Sequence, residues 1–266
     1  MAAWVAARLP CDVVHLDAAA CGRPSTAVLD AEVAHLRAEA ARGGYVAEAV
    51  ATERVDDARA RLGGLLGLGG PDVALTDGAG AAFAALLAAE PLPRGARVGT
   101  VAGEYGGNAL VLSRLADERG WTLVPLPVDA LGRVVDVPRG LDLVTFPHVL
   151  SQRGVVQPVA DVLATGVPLV LDVAQSLGQT PVPPGCAAYV GTSRKWLCGP
   201  RGVGFLAVAP DHAPALRRPP TLTPHDGVPA FDTHEAHVAG RVGLAVAARE
   251  WHPELAERAR GLARYA

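Results

Sequence analysis

Lys195 is the only lysine in the sequence, and every other one of its 24 basic residues is an arginine. A chain that uses arginine so consistently can replace lysine wherever a solvated positive charge is sufficient. It cannot do so where a primary amine must lose its proton, because a guanidinium group stays charged at any working pH. Lys195 is therefore a candidate nucleophile that forms a Schiff base with a carbonyl compound. Composition alone leaves the chance survival of one surface lysine equally open.

A second candidate is Asp172, which ends the apolar run Leu169-Val-Leu-Asp and is followed three residues later by Gln175. A carboxylate at the end of a buried strand is costly unless it has a cationic partner. A protonated pyridine nitrogen would be such a partner, and Gln175 could donate a hydrogen bond to an oxygen on the same ring. Considered alone, Asp172 is more simply explained as the N-cap of a helix.

Two short segments could bind a phosphate group. Thr76-Asp-Gly-Ala-Gly80 ends a predicted strand and opens a helix, and its small residues, including Gly78 and Ala79, would let backbone N–H groups approach an anion. Thr192 and Arg194 could add a hydroxyl group and a bidentate cation. The first segment also begins like a dinucleotide-binding pattern, but Phe83 stands where the third glycine belongs, so that alternative is weak.

Tyr105 completes the set, because an aromatic ring at a strand end, with glycines behind it, could stack on a flat ligand. An ordinary turn tyrosine would look the same. Together with the single lysine, however, these features describe a pyridoxal phosphate site: a Schiff-base amine, an acid for the ring nitrogen, a stacking ring and a phosphate cradle.

The elements that must position these residues alternate between strand and helix. Short apolar runs separated by helical segments predict an α/β fold, with a mainly parallel seven-stranded sheet and helices on both faces. Ligands of such sheets gather at the carboxyl ends of the strands, where the candidate residues lie. The seven predicted strands are 73–76, 97–101, 122–126, 141–146, 168–172, 189–191 and 203–208.

We expect three regions along the chain. Residues 1–24 form an N-terminal arm, residues 25–210 the large ligand-binding domain, and residues 211–266 a proline-rich linker and the start of a small second domain. We expect that second domain to be incomplete, and its two helices, near 237–250 and beyond, to lack partners in the remaining chain.

Composition disfavours several other classes of protein. A net charge of −3 with dispersed arginines gives no reason to expect nucleic-acid binding. The longest uncharged apolar stretch, 79–89, is too short to span a bilayer, and the N-terminus lacks a basic segment typical of a signal peptide. The four cysteines lack paired spacing, which favours reduced thiols and a cytoplasmic location. His234 and His237 lack an evident third ligand, so we expect no metal site.

The order of the motifs resembles a known family. Asp172-x-x-Gln175, followed by Thr192-x-Arg-Lys195-x-x-x-Gly-Pro-x-Gly-x-Gly204, is similar to the signature of class V aminotransferases and cysteine desulfurases. Those proteins are fold-type I pyridoxal phosphate enzymes. Further matches, such as Glu104-Tyr105 with Asn108, extend the resemblance over nearly the whole chain.

The resemblance implies a role for each matching residue. Lys195 would carry pyridoxal 5'-phosphate, Asp172 would pair with its pyridine nitrogen, and Gln175 would lie at its ring hydroxyl. Tyr105 would stack on the ring. The remaining implied cofactor contacts are Gly78, Ala79, Thr192 and Arg194 around the phosphate, together with Ser151.

Within the family, segments such as Gly43-Gly-Tyr-Val-Ala-Glu and Ser151-Gln-Arg-Gly resemble a carbon–sulfur lyase subgroup. That resemblance implies β-elimination from a small sulfur-containing amino acid, with release of pyruvate and ammonia. It also implies a homodimer, provided that the second domain is present. Cysteine desulfurase, epimerase and aminotransferase activities remain alternatives on the same fold. A non-catalytic remnant or binding subunit remains an alternative of another class.

Overall fold

Seven strands in the described residues form one sheet, and their order across it is 1-7-6-5-4-2-3 when they are numbered along the chain. The computed structural model describes residues 2–220, 225–262 and 264. Every residue of five of the seven strands is buried, because helices cover both faces of the sheet. The strands are β1 (Val73–Thr76), β2 (Arg97–Thr100), β3 (Thr122–Pro125), β4 (Leu143–Pro147), β5 (Leu169–Asp172), β6 (Ala188–Thr192) and β7 (Gly204–Val208).

The strand directions confirm a mainly parallel sheet. Strands β2 through β6 pair in parallel, whereas β7 is antiparallel to both of its neighbours, β6 and β1. The carboxyl ends of β4, β5 and β6 therefore meet at one edge of the sheet. This edge is also where the helix that follows β1 begins.

Eight helices connect and cover the strands in the described part of the chain. The sheet separates two apolar clusters, one with α3 (Gly44–Leu66) and α7 (Val238–Glu250) on its side and the other with α4 (Ala79–Ala89) and α5 (Gly106–Arg119). Alternate residues of β5 enter alternate clusters, as a doubly covered strand requires. The helices are α1 (Ala2–Ala6), α2 (Thr26–Arg42), α3 (Gly44–Leu66), α4 (Ala79–Ala89), α5 (Gly106–Arg119), α6 (Val159–Leu163), α7 (Val238–Glu250) and α8 (Pro253–Leu262).

The expectation that the last two helices lack partners is wrong. Helix α7 is buried along most of its length and packs on α2 and α3. Gly243 allows the close approach to α2, because a Cβ atom there would lie 2.8 Å from Cγ of Glu32 in that helix. Helix α8 is tied down by Arg260, which donates a hydrogen bond of 3.0 Å to the carbonyl of Gln179. Whether residues 211–266 begin a second domain stays a prediction, and 221–224, 263, 265 and 266 lie outside the described residues.

The helices were also compared with the length and hydropathy of a membrane-spanning segment. None of those in the described ranges combines the length and the apolar character that crossing a bilayer requires.

Candidate active site

A cavity of about 260 Å³ opens at the edge of the sheet where β4, β5 and β6 end. All nine residues predicted as site residues line it. They are Gly78, Ala79, Tyr105, Ser151, Asp172, Gln175, Thr192, Arg194 and Lys195. The topology brings them together from five separate stretches of the chain. Their individual roles toward a cofactor stay predictions.

Lys195 reaches this cavity from the turn that follows β6. Its carbonyl accepts a hydrogen bond of 3.0 Å from the backbone N–H of Cys198, which closes the turn. The side chain is 9% exposed, and this burial lowers the pKa of the Lys195 amine below its usual value of 10.5. The nearby charge of Asp172 opposes the shift, while that of Arg194 adds to it. The amine is therefore easier to deprotonate than one in water.

Asp172 is the last residue of β5, and its carboxylate is held by two neutral donors. Oδ1 accepts a hydrogen bond of 2.8 Å from the backbone N–H of Ala174, and Oδ2 accepts one of 2.9 Å from Nδ2 of Asn108. Burial raises the pKa of Asp172, whereas these hydrogen bonds and the charge of Lys195 oppose the rise. A cation placed against this carboxylate would stabilise its charged form.

The N-terminus of α4 forms the opposite wall. Its N-cap is Gly78, which has no side chain to bond the first free N–H groups of the helix. The spaces around Gly78 and Gly80 are open, so a ligand can approach the backbone there. Thr192 stands beside them and donates through Oγ1 to the carbonyl of Val203 at 3.3 Å. This wall can bind an anion, because free N–H groups and the helix dipole both favour negative charge.

Gln175 and Arg194 line the cavity but are hydrogen-bonded to the N-terminal arm. Nε2 of Gln175 donates to the carbonyl of Ala19 at 3.0 Å, and the guanidinium of Arg194 donates to the carbonyl of Ala20. Tyr105 is 49% exposed at the mouth of the cavity, so its ring face is accessible. The arm thus contributes backbone groups to the site, which the sequence did not indicate.

Asn108 also lines the site, although its local sequence indicates no role for it. It lies in the first turn of α5, it is 2% exposed, and its amide contacts the carboxyl groups of both Asp172 and Glu104. The available signal was the four-residue spacing from Glu104 to Asn108 across the start of a helix. Spacing could not show that β5 would bring Asp172 to the same amide.

Comparison with known proteins gives a family and two relatives. A family model described as "Aminotransferase class-V" matches residues 14–237. A protein of Mycobacterium tuberculosis (strain CDC 1551 / Oshkosh), named "Probable hercynylcysteine sulfoxide lyase", is 40% identical over 265 residues, which cover 93% of this chain and 65% of the relative. An "Isopenicillin N epimerase" of Amycolatopsis lactamdurans is 30% identical over 240 residues, with 82% and 60% covered. The chain thus spans less than two thirds of the length of these relatives.

Solved structures show the same fold. The cystine C–S lyase C-DES in complex with cysteine persulfide matches with a TM-score of 0.79 at 21% identity, covering 87% of this chain and 70% of that one. The apo cysteine desulfurase from Thermococcus onnurineus NA1 matches with a TM-score of 0.78 at 20% identity, covering 90% and 67%. The predicted fold class, that of fold-type I pyridoxal phosphate enzymes, is confirmed.

Proposed function

The chain belongs to the class V aminotransferase family, and from this premise we propose that it is a pyridoxal 5'-phosphate-dependent carbon–sulfur lyase. One observation carries the proposal: the only lysine of the chain shares a cavity with a buried aspartate and an open helix N-terminus. The amine, the acid and the anion site are the three polar features that this cofactor requires of a protein.

The residues fit the cofactor at both of its ends. Asp172 is a buried carboxylate whose two hydrogen bonds come from neutral donors, so a protonated ring nitrogen would be a favourable partner. The free N–H groups after Gly78, together with Thr192, would hold the phosphate. Tyr105 would lie on the ring, and Lys195 would attach the cofactor covalently.

Pyridoxal phosphate, when bound, supplies an electron-withdrawing ring that accepts the electron pair left on the substrate Cα. Asp172 would keep a proton on the ring nitrogen, because its buried negative charge favours the protonated ring. Once the substrate amine has displaced it from the cofactor, Lys195 would remove the proton from the substrate Cα through Nζ, which is suited to this role because burial lowers its pKa. Departure of the sulfur substituent from Cβ would complete the elimination, and water would hydrolyse the released three-carbon enamine to pyruvate and ammonia.

The 40% identity to a probable hercynylcysteine sulfoxide lyase supports that sulfoxide as the substrate. The products would be ergothioneine, pyruvate and ammonia. The sulfoxide sulfur leaves in an oxidised state, so a two-electron reductant such as a thiol must be supplied.

The epimerase relative favours a second reaction on the same site. Epimerisation starts with the same removal of the Cα proton by Lys195 and ends with return of a proton to the opposite face. It needs no leaving group on Cβ, so the choice of substrate distinguishes the two reactions.

We also propose that the protein acts as a homodimer in the cytoplasm. Apolar side chains of α2 and α3 are exposed, among them Val33 at 42%, Tyr45 at 81% and Val50 at 71%, and a second copy could cover them. All four cysteines are free, which favours a reducing compartment.

The experiment supplies the purified chain with pyridoxal phosphate, a thiol and hercynylcysteine sulfoxide, and it measures pyruvate. Lys195→Arg is the matched control, because arginine keeps the positive charge but cannot give up a proton at working pH. We expect pyruvate from the unchanged chain and none above a boiled sample from the variant.

Each negative result in this assay supports a different alternative function. Visible absorbance of bound cofactor without pyruvate would refute the sulfoxide lyase and direct the same assay to isopenicillin N, for an epimerase, or to cysteine, for a desulfurase. Absence of cofactor absorbance in the unchanged chain would support a non-catalytic remnant.

A further inference from the structure

Two buried carboxyl groups share one amide behind the candidate site. Nδ2 of Asn108 donates to Oδ2 of Asp172 at 2.9 Å and to Oε1 of Glu104 at 3.2 Å. Glu104 is 8% exposed, Asp172 6% and Asn108 2%, so water contributes little to this group. Glu104 does not line the cavity, and it is hydrogen-bonded to two residues that do, through the backbone N–H of Tyr105 and the side-chain amide of Asn108.

The hydrogen bonds indicate which carboxyl group holds a proton. Burial raises the pKa of Asp172 as well, but Asp172 has a donor on each oxygen and the positive charge of Lys195 nearby, which oppose the rise. Glu104 accepts from the backbone N–H of Tyr105 at 2.8 Å and from Asn108, both through Oε1. Its Oε2 is buried and has no hydrogen-bond partner in the described structure. Burial of a charged carboxylate oxygen without a hydrogen-bond donor is costly, and protonation of Oε2 removes that charge.

The charges around Glu104 favour the same assignment. Burial and the negative charge of Asp172 raise the pKa of Glu104 to about 8, and within the described ranges no cation acts to lower it. His148, which follows β4 at the same edge of the sheet, is kept neutral because burial lowers its pKa to about 4. Two carboxylates held by one amide would repel each other, so the pair carries a single negative charge near neutral pH.

We propose that Glu104 is a positioning residue of this site: as a neutral carboxylic acid it orients Asn108 toward Asp172 and leaves Asp172 as the one charged carboxylate. The effect on a bound ring nitrogen rests on the proposed function. The protonation of Glu104 does not, and it can be measured without cofactor.

The first experiment therefore follows thermal unfolding of the cofactor-free chain between pH 5 and 8.5. A carboxyl group whose pKa is raised from 4.5 to about 8 by folding contributes stability below pH 4.5 that is lost as the pH rises to 8. Over that window the folding equilibrium constant of the unchanged chain should fall relative to Glu104→Gln by up to about tenfold per pH unit. Glu118→Gln, which makes the same chemical change at an exposed position of α5, is the matched control. Parallel curves for the unchanged chain and Glu104→Gln would overturn the proposal.

The second experiment uses the cofactor-loaded protein and compares two substitutions. Glutamine resembles the protonated acid and can still accept a hydrogen bond from Asn108. Glu104→Gln should therefore keep the cofactor affinity within about twofold of that of the unchanged chain. Glu104→Ala removes the acceptor, and loss of a hydrogen bond supporting a charged group should weaken cofactor binding about tenfold or more.

The pH dependence of the cofactor absorbance separates positioning from simple packing. The unchanged protein should show a spectral step near pH 8 that is absent in Glu104→Gln. If glutamine weakens binding as much as alanine, Glu104 acts as an anion and the proposal is wrong. If the unchanged chain binds no cofactor, the proposed function fails, and the unfolding experiment still decides the protonation of Glu104.

Discussion

Gly204→Ala should disrupt the anion-binding wall of the site, although no side chain there is lost. Gly204 begins β7 and packs directly under the start of α4. An added Cβ atom would lie 2.3 Å from the carbonyl carbon of Gly78, 2.5 Å from its Cα and 2.7 Å from the backbone nitrogen of Ala79. All three are backbone atoms, so no flexible side chain can move aside. The strand and the helix start must separate by about 1 Å to restore ordinary contact.

Two costs follow from that displacement. Overpacking of this kind lowers the free energy of unfolding by about 1–3 kcal/mol. The same movement shifts the N–H groups that would hold the phosphate, and weakening hydrogen bonds to a charged group costs about 1.5–3 kcal/mol. We therefore expect a cofactor dissociation constant about 10- to 100-fold higher.

The assay is titration of cofactor-free protein with pyridoxal phosphate, followed by visible absorbance, with thermal unfolding recorded in parallel. Gly64→Ala is the matched control, because it lies inside α3 with no atom within 4 Å of an added Cβ and should be neutral or stabilising. Unchanged affinity in Gly204→Ala would refute the assignment of the α4 N-terminus as the phosphate site. Unchanged stability would refute the packing argument itself.

Two further predictions test charges in the fold. Asp172→Asn should retain the cofactor in part but lose about 10²–10³-fold in turnover, because the ring nitrogen is no longer held protonated; turnover near that of the unchanged chain would contradict the role of Asp172. His212 forms a 2.9 Å ion pair with buried Glu90, whose hydrogen bond raises the pKa of His212 above 6.5. The stability this pair contributes should be complete below pH 6.5 and lost as the pH rises through the higher pKa, and melting curves of His212→Gln should lack that dependence.

Most of the sheet could be predicted from sequence because five of its seven strands are buried on both faces. Each of these five is a short, mainly apolar run, and all seven predicted strands agree with the structure to within two residues at either end. The antiparallel direction of β7 could not be predicted, because the direction of a strand depends on the path of the chain that leads to it and not on the residue types within it. The partners of helix α7 could not be predicted either: its alanines and glycines let it pack on α2 and α3, but small residues are compatible with many environments.

Helical periodicity also failed to indicate which face is buried. Leu29, Val33 and Leu36 fall on one face of α2, yet they are 37–45% exposed, while Val28 and His35 are buried instead. An apolar stripe predicts that one face of a helix packs against another surface. It does not indicate whether that surface belongs to the same chain.

In the site, sequence order identified the residues at strand ends but not their partners. Lys195 and Asp172 could be predicted because each is chemically unusual in its own segment. Glu104 and Asn108 have roles that depend on a third residue 64 positions beyond Asn108, which becomes their neighbour only through the parallel pairing of the sheet. Networks of this kind form from long-range contacts, so no local pattern indicates them.

The N-terminal arm adds a constraint on how Arg194 and Gln175 would meet a cofactor. Both side chains now donate to arm carbonyls, so each must exchange a neutral acceptor for a new one. A hydrogen bond from a guanidinium to a phosphate joins two charged groups, whereas the present one to the Ala20 carbonyl has charge on the donor alone, so exchange is favourable for Arg194. For the Gln175 amide the exchange is between similar neutral acceptors and gains little. The arm itself would stay in place, because the backbone N–H of Gly22 donates to the carbonyl of Arg194 at 2.7 Å and Gly22 packs against the carbonyl of Lys195.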